Sequence, residues 1–112
     1  MPFLPEIFAM QQVQIGGSEL RASRLAYGCW RIIAGGKAIE VTPDREQAAR
    51  KSIMTAFDAG YTLFDHADIY SDGLGEWVFG RLLRDNKTLR DKIVLASKCG
   101  IRKADDPTPS AP

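Results

Sequence analysis

Asp65, His66, Asp68 and Tyr70 fall within six residues, in the stretch DHADIY, and Lys98 lies further along. One chemistry these types support is proton delivery to a carbonyl oxygen. A tyrosine hydroxyl has a reference pKa near ~10 and is a poor acid at neutral pH. A lysine ammonium beside it favours the phenolate and lowers that pKa, and an aspartate keeps the lysine charged and in place. The tyrosine then acts as general acid while a hydride reaches the carbonyl carbon. Taken singly, the same residues also suit a scaffold: Tyr70 as a half-buried loop aromatic, Lys98 as a solvated charge, Asp65 as a turn cap.

A second chemistry is metal binding by Asp65, His66 and Asp68. His66 is the only histidine of the chain, and zinc sites use three or four protein ligands. Neighbouring residues of a strand also point to opposite faces. No metal site is expected. The run GLGEWVFG, with glycines 73, 75 and 80, invites a dinucleotide loop, but Val78 stands where the last glycine of G-x-G-x-x-G belongs.

The elements that must place these residues are legible from periodicity. A hairpin is expected around Gly16-Gly17. Arg24 to Trp30 reads as a strand ending at Gly28, and AGGKAIEVTP as a loop. Thr42 caps and Pro43 opens a helix, with Asp44 in its first turn and Ala49, Ile53, Ala56 and Phe57 on one face. Gly60 is its expected C-terminal stop. Tyr61 to Asp65 is a strand, Gly75 to Leu83 a helix, and Ile93 to Ser97 a nearly continuous apolar strand, as in parallel sheets covered on both faces. Gly80 inside the second helix costs about 1 kcal/mol relative to alanine, so a close packing partner is expected there. Residues 1–12 read as an extension, 13–102 as the body, and 103–112 as a tail with three prolines in its last six residues. Strands alternating with helices imply right-handed crossovers and a parallel α/β sheet, whose function sits beyond the carboxyl ends of the strands. Asp65, Lys98 and the Gly28–Trp30 segment all fall there.

The 112 residues suit one domain, and 45% hydrophobic with 26% charged residues is a globular composition. A net charge of +1 without a basic cluster argues against a nucleic-acid partner. No apolar run reaches the ~20 residues a membrane span needs. MPFLPEIFAM lacks the basic start of a signal peptide, and Met10 offers a second start. Cys29 and Cys99 read as reduced thiols, which together place the chain in the cytoplasm.

Three motifs in order resemble the aldo-keto reductase family, over about Val13 to Arg102. GGSELRASRLAYGCWRI resembles its entry hairpin and first barrel strand. AFDAGYTLFDHADIY resembles its Gly-aromatic…Asp-x-Ala-x-x-Tyr segment through Gly60, Tyr61, Asp65, Ala67 and Tyr70, followed by Glu76 and Gly80. IVLASKCG resembles the strand ending in its lysine, Lys98. His66 stands where many members have a small residue, and DHADIY resembles a bacterial branch.

The resemblance implies a (β/α)8 TIM barrel, of which this chain supplies the N-terminal part: the hairpin and three strands. It implies NAD(P)H-dependent reduction of aldehydes or ketones, with NADP the expected cofactor and NAD the alternative, and a small carbonyl compound as substrate. Tyr70 is implied as general acid, Lys98 and Asp65 as its partners, and Gly28, Trp30 and Asp65 as contacts of the nicotinamide. The family's catalytic histidine after the fourth strand and its late pyrophosphate contacts have no counterpart here. A barrel takes ~250 residues, so the chain is expected to be truncated and inactive alone. The readings set against this one are a non-catalytic nicotinamide-binding module and a metal-dependent hydrolase centred on Asp65, His66 and Asp68.

Overall fold

The computed structural model describes residues 9–33 and 40–102. The expectations for residues 1–8, for most of the AGGKAIEVTP loop and for the tail from 103 lie outside these residues. Two short strands, β1 (Gln12–Gln14) and β2 (Arg21–Ser23), pair antiparallel with Val13 opposite Ala22. The turn between them carries Gly16 at φ 57°, a left-handed position that suits glycine.

The chain then builds a parallel sheet. β3 (Ala26–Gly28), β4 (Leu63–Asp65) and β5 (Val94–Ala96) lie in that order, with Gly28 opposite Asp65 and Asp65 opposite Ala96. Among the described residues one edge of β3 and one edge of β5 have no strand partner. Each strand is shorter than its sequence pattern, because pairing ends where the backbone turns into the loops. Trp30 thus lies beyond the first strand rather than at its end.

Helix α1 (Pro43–Asp58) connects β3 to β4. Thr42 caps it by accepting the Arg45 backbone N–H, and Pro43 occupies its first turn. Ala49, Ile53 and Ala56 are its buried face, with Phe57 packed at the margin. The helix ends at Ala59, and Gly60 follows at φ 106°. A Cβ on Gly60 would stand 2.6 Å from the Cβ of Met10, so glycine is required there by space as well as by backbone.

Helix α2 (Leu74–Asp85) connects β4 to β5 and buries Val78, Phe79 and Leu82. Strand alternation sends Phe64 toward the helices, where its ring meets Phe79 at 5.4 Å and Tyr27 at 5.9 Å. Phe64, Ile53 and Val78 are fully buried, each worth about 1.5–3 kcal/mol by removal from water. Glu46 joins the two helices by accepting from Arg50 at 3.0 Å and Arg81 at 2.7 Å, while Arg50 also reaches Asp85 at 2.9 Å.

Two expectations fail. The space at Gly80 is open: a Cβ there would meet nothing within 4 Å among the described residues, because α2 turns this residue outward. The tight glycine is Gly75, whose Cβ would lie 3.2 Å from the Tyr70 carbonyl oxygen. And β5, expected to be covered on both faces, is half-buried throughout, since nothing described packs beyond it.

Candidate active site

The polar rim grows from the sheet register. Asp65 is the last residue of β4, and alternation turns it away from the face that carries Phe64. The chain runs two residues past the end of β5 to Lys98. The lysine ammonium then donates to Asp65 Oδ1 at 2.8 Å and to the His66 carbonyl oxygen at 2.6 Å. The main chain closes the same junction: the His66 N–H donates to Ala96 O at 2.8 Å, and the Asp68 N–H to Lys98 O at 3.0 Å. Residues 65–68 thus grip Lys98 at its backbone and at its ammonium.

Tyr70 stands above this pair. Lys98 Nζ lies 5.3 Å from the centroid of its ring. The hydrogen bond to Asp65 raises the Lys98 pKa above its ordinary value, with the Tyr70 hydroxyl adding in the same direction. After Tyr70 the backbone turns sharply: Ser71 and Asp72 hold φ values of 52° and 54°, and Gly73 holds 90°. Left-handed backbone costs a non-glycine residue roughly 1–2 kcal/mol, less for aspartate. Here the local turn sets Tyr70 at the rim and delivers the chain into α2. Tyr70, Lys98, Asp68, Ile69, Cys99 and Ile101 line a hollow of about 290 Å³.

Asp65, Tyr70 and Lys98 are therefore brought together. Asp65, His66 and Asp68 are not: the Asp65 carboxylate turns to Lys98, whereas the His66 ring turns into the helix layer, 4.6 Å edge-on from Phe79. Among the described residues no group of three His, Cys, Asp or Glu is placed to hold a metal ion. Burial pulls the His66 pKa below its ordinary value, against the opposing pull of Glu76 and Asp65.

Gly28 sits opposite Asp65 at the same sheet end, and a Cβ on it would meet nothing within 4 Å among the described residues. Trp30 is 61% exposed, with the Arg31 guanidinium 4.6 Å from its ring. Between them Cys29 is fully buried, and burial, with the Asp65 charge adding, pushes its thiol up to about 12. It is inert as a nucleophile. Both cysteines are free.

A model of the aldo/keto reductase family matches residues 24–111. The chain belongs to the aldo/keto reductase family. It is 37% identical over 92 residues to 6-dehydroglucose reductase of Agrobacterium fabrum, covering 82% of this chain and 29% of that protein. It is 33% identical over 89 residues to a probable voltage-gated potassium channel subunit beta of rice, Oryza sativa, covering 80% and 25%. An aldo-keto reductase of Bacillus halodurans, in its holo form, superposes with a TM-score of 0.65 at 31% identity, over 84% of this chain and 27% of that one. The glycerol dehydrogenase of Gluconobacter oxydans superposes with a TM-score of 0.62 at 31% identity, over 86% and 28%. This aldo/keto reductase chain thus spans between a quarter and a third of these four relatives. Its parallel sheet with helices on one side is the N-terminal part of their (β/α)8 barrel.

Several features of the site have no signal in the spacing of residues. The His66 carbonyl as acceptor for Lys98 is one. Another is Ser23, whose buried hydroxyl joins the hairpin to the start of β4 through the N–H groups of Thr62 and Leu63. Among the described residues no helix is long and apolar enough to cross a membrane.

Proposed function

We propose that this chain carries the proton-delivery half of an NAD(P)H-dependent carbonyl reductase. The observation that supports it is the convergence of Asp65, Lys98 and Tyr70 at one sheet rim, with the ammonium 2.8 Å from Asp65 and beneath the phenol ring. With the ammonium beneath its ring, the Tyr70 hydroxyl is placed to act as general acid toward a carbonyl oxygen. Asp65 holds the ammonium charged and pointed at the rim. Gly28 leaves the neighbouring strand end bare, and Trp30 offers an exposed aromatic face for the nicotinamide end of the cofactor. When bound, the nicotinamide supplies the hydride for reduction or accepts it in the reverse oxidation. NADP is the expected form; the Escherichia coli relative, an NADH-specific methylglyoxal reductase at 34% identity, keeps NAD as the alternative. The substrate is a small carbonyl compound that enters the hollow beside Tyr70, and two free thiols fit a cytoplasmic setting.

A second reading is a nicotinamide-binding module without turnover. A relative named as a probable potassium channel subunit beta, a name that states no reaction, favours it. One experiment separates the two. Residues of this chain replace the matched segment of the Agrobacterium fabrum 6-dehydroglucose reductase, and cofactor binding and carbonyl reduction are both measured. Turnover with NADPH or NADH supports the reductase reading. A folded chimera that binds cofactor and turns nothing over overthrows it in favour of the module.

A further inference from the structure

His66 divides between two sides of the sheet. Its carbonyl oxygen accepts from Lys98 Nζ at 2.6 Å, at the rim that carries Tyr70. Its ring goes the other way, into the layer between the sheet and α2, where it is 4% exposed and meets the Phe79 ring at 4.6 Å and 82°. Neither ring nitrogen has a hydrogen-bond partner among the described residues. The ring is therefore held by shape, in contact with Phe79 and beside a small hollow of about 130 Å³ also lined by Glu76, Gly80, Leu95 and Ser97. It does not line the hollow beside Tyr70.

We infer that His66 is a positioning residue for Lys98: its buried ring anchors the peptide whose carbonyl fixes the lysine ammonium, so the packing of α2 sets the place of the Asp65–Lys98 pair. The inference rests on the proton-delivery reading of Lys98. Two backbone hydrogen bonds, His66 N–H to Ala96 O and Asp68 N–H to Lys98 O, stitch this loop to the end of β5. They fix the backbone on either side of the 66–67 peptide, and the side chain of residue 66 adds a third hold. A buried ring packed edge-to-face against Phe79 fixes the Cα of residue 66, the atom from which that carbonyl group springs. The charged groups around the ring are Glu76 of α2, Asp65 of β4 and Lys98 after β5. Glu76 itself accepts from the Ser97 hydroxyl at 3.2 Å.

The test uses the full chain and nuclear magnetic resonance, where the single histidine gives one imidazole signal. Wild type is expected to show a ring-to-ring Overhauser contact between His66 and Phe79, and a Lys98 side chain that titrates above the ordinary lysine range. His66→Ala is expected to return the Lys98 midpoint to that range while the core amides of α1 stay protected. His66→Phe, which keeps the ring and discards the imidazole, is expected to restore the wild-type midpoint. His66→Leu replaces the alanine variant if that one loses its core protection. An unchanged Lys98 midpoint in a folded His66→Ala or His66→Leu chain overturns the inference, as does failure of His66→Phe to rescue or absence of the contact to Phe79. None of these readouts uses turnover, so loss of the reductase reading leaves them standing and their failure leaves that reading untouched.

Discussion

Lys98 and Asp65 meet at 2.8 Å because β4 and β5 run parallel in a register that sets Asp65 opposite Ala96. A slip of one residue would turn Asp65 to the helix face and break the pair. Both side chains are well exposed, at 52% and 40%, and exposed pairs add little to stability. In the proposed function the pair serves proton delivery, and its share in holding the fold is small. Asp65→Asn removes the largest cause of the raised Lys98 pKa. Its midpoint then falls toward the ordinary value, read from the lysine side-chain resonance, with little change in Tm. The sign is that of a raised pKa: the small stabilisation is full below the unfolded value and is lost as pH rises through the folded one.

Tyr70→Phe keeps the ring over Lys98 and removes the proton. In the chimera with the Agrobacterium fabrum enzyme, carbonyl reduction is expected to fall by roughly 10²–10⁴, the usual worth of a general acid. Cofactor affinity, measured by fluorescence titration, is expected to hold. A fully active phenylalanine variant removes Tyr70 from the proposed role.

The meeting of Asp65 and Lys98 was legible because strand alternation and the carboxyl-end rule assign a side and an end to residues at strand ends, and Tyr70 follows in the loop above them. What spacing misses is chemistry carried by the backbone. The His66 carbonyl that holds Lys98 is the same atom in every amino acid. In the left-handed run from Ser71 to Gly73 only the last residue is a glycine, so the sequence announces one position of three. Gly80 misleads in the other direction: propensity asks for a reason to keep glycine in a helix, and the described residues offer no contact at that site. The shallow burial of β5 was hidden for a related reason. An apolar run encodes burial on both faces, and only the described sheet reveals that one side has no neighbour.

Ser23 tests a joint that no motif marks. Its hydroxyl donates to Leu25 O at 2.7 Å and accepts from Thr62 N–H at 2.9 Å, while its own N–H donates to Thr62 Oγ1 at 2.8 Å. Ser23→Ala leaves part-buried backbone donors without an acceptor, at a cost of about 1–3 kcal/mol. Denaturant unfolding checks it, and a loss below about 0.5 kcal/mol would mean that water replaces the hydroxyl.

The 112-residue chain by itself is expected to show no NADPH-dependent carbonyl turnover. One edge of β3 and one edge of β5 lack partners among the described residues, and unpaired edges recruit other strands. Purified chain of confirmed mass, assayed with small aldehydes, gives the answer. The same preparation is expected to associate as its concentration rises in light scattering. Turnover by a monomer would show that the three strands suffice.

The burial of His66 makes stability depend on pH. Burial is the main cause of its lowered pKa, so the folded state resists the proton that the unfolded chain accepts near the ordinary 6.5. Above that value both states are neutral and the packing against Phe79 is worth its full amount. As pH falls from 6.5 through the lower folded value, the unfolded state gains a proton first and stability drops. The carboxylates act in a separate window. Glu46, held below its ordinary 4.5 by Arg81 and then Arg50, keeps its contribution above 4.5 and loses it only in stronger acid. Thermal unfolding between pH 7.5 and 5 is therefore expected to show a falling Tm in wild type and a flatter profile in His66→Phe. Equal slopes in the two proteins would mean that the imidazole takes its proton without leaving its seat beside Phe79.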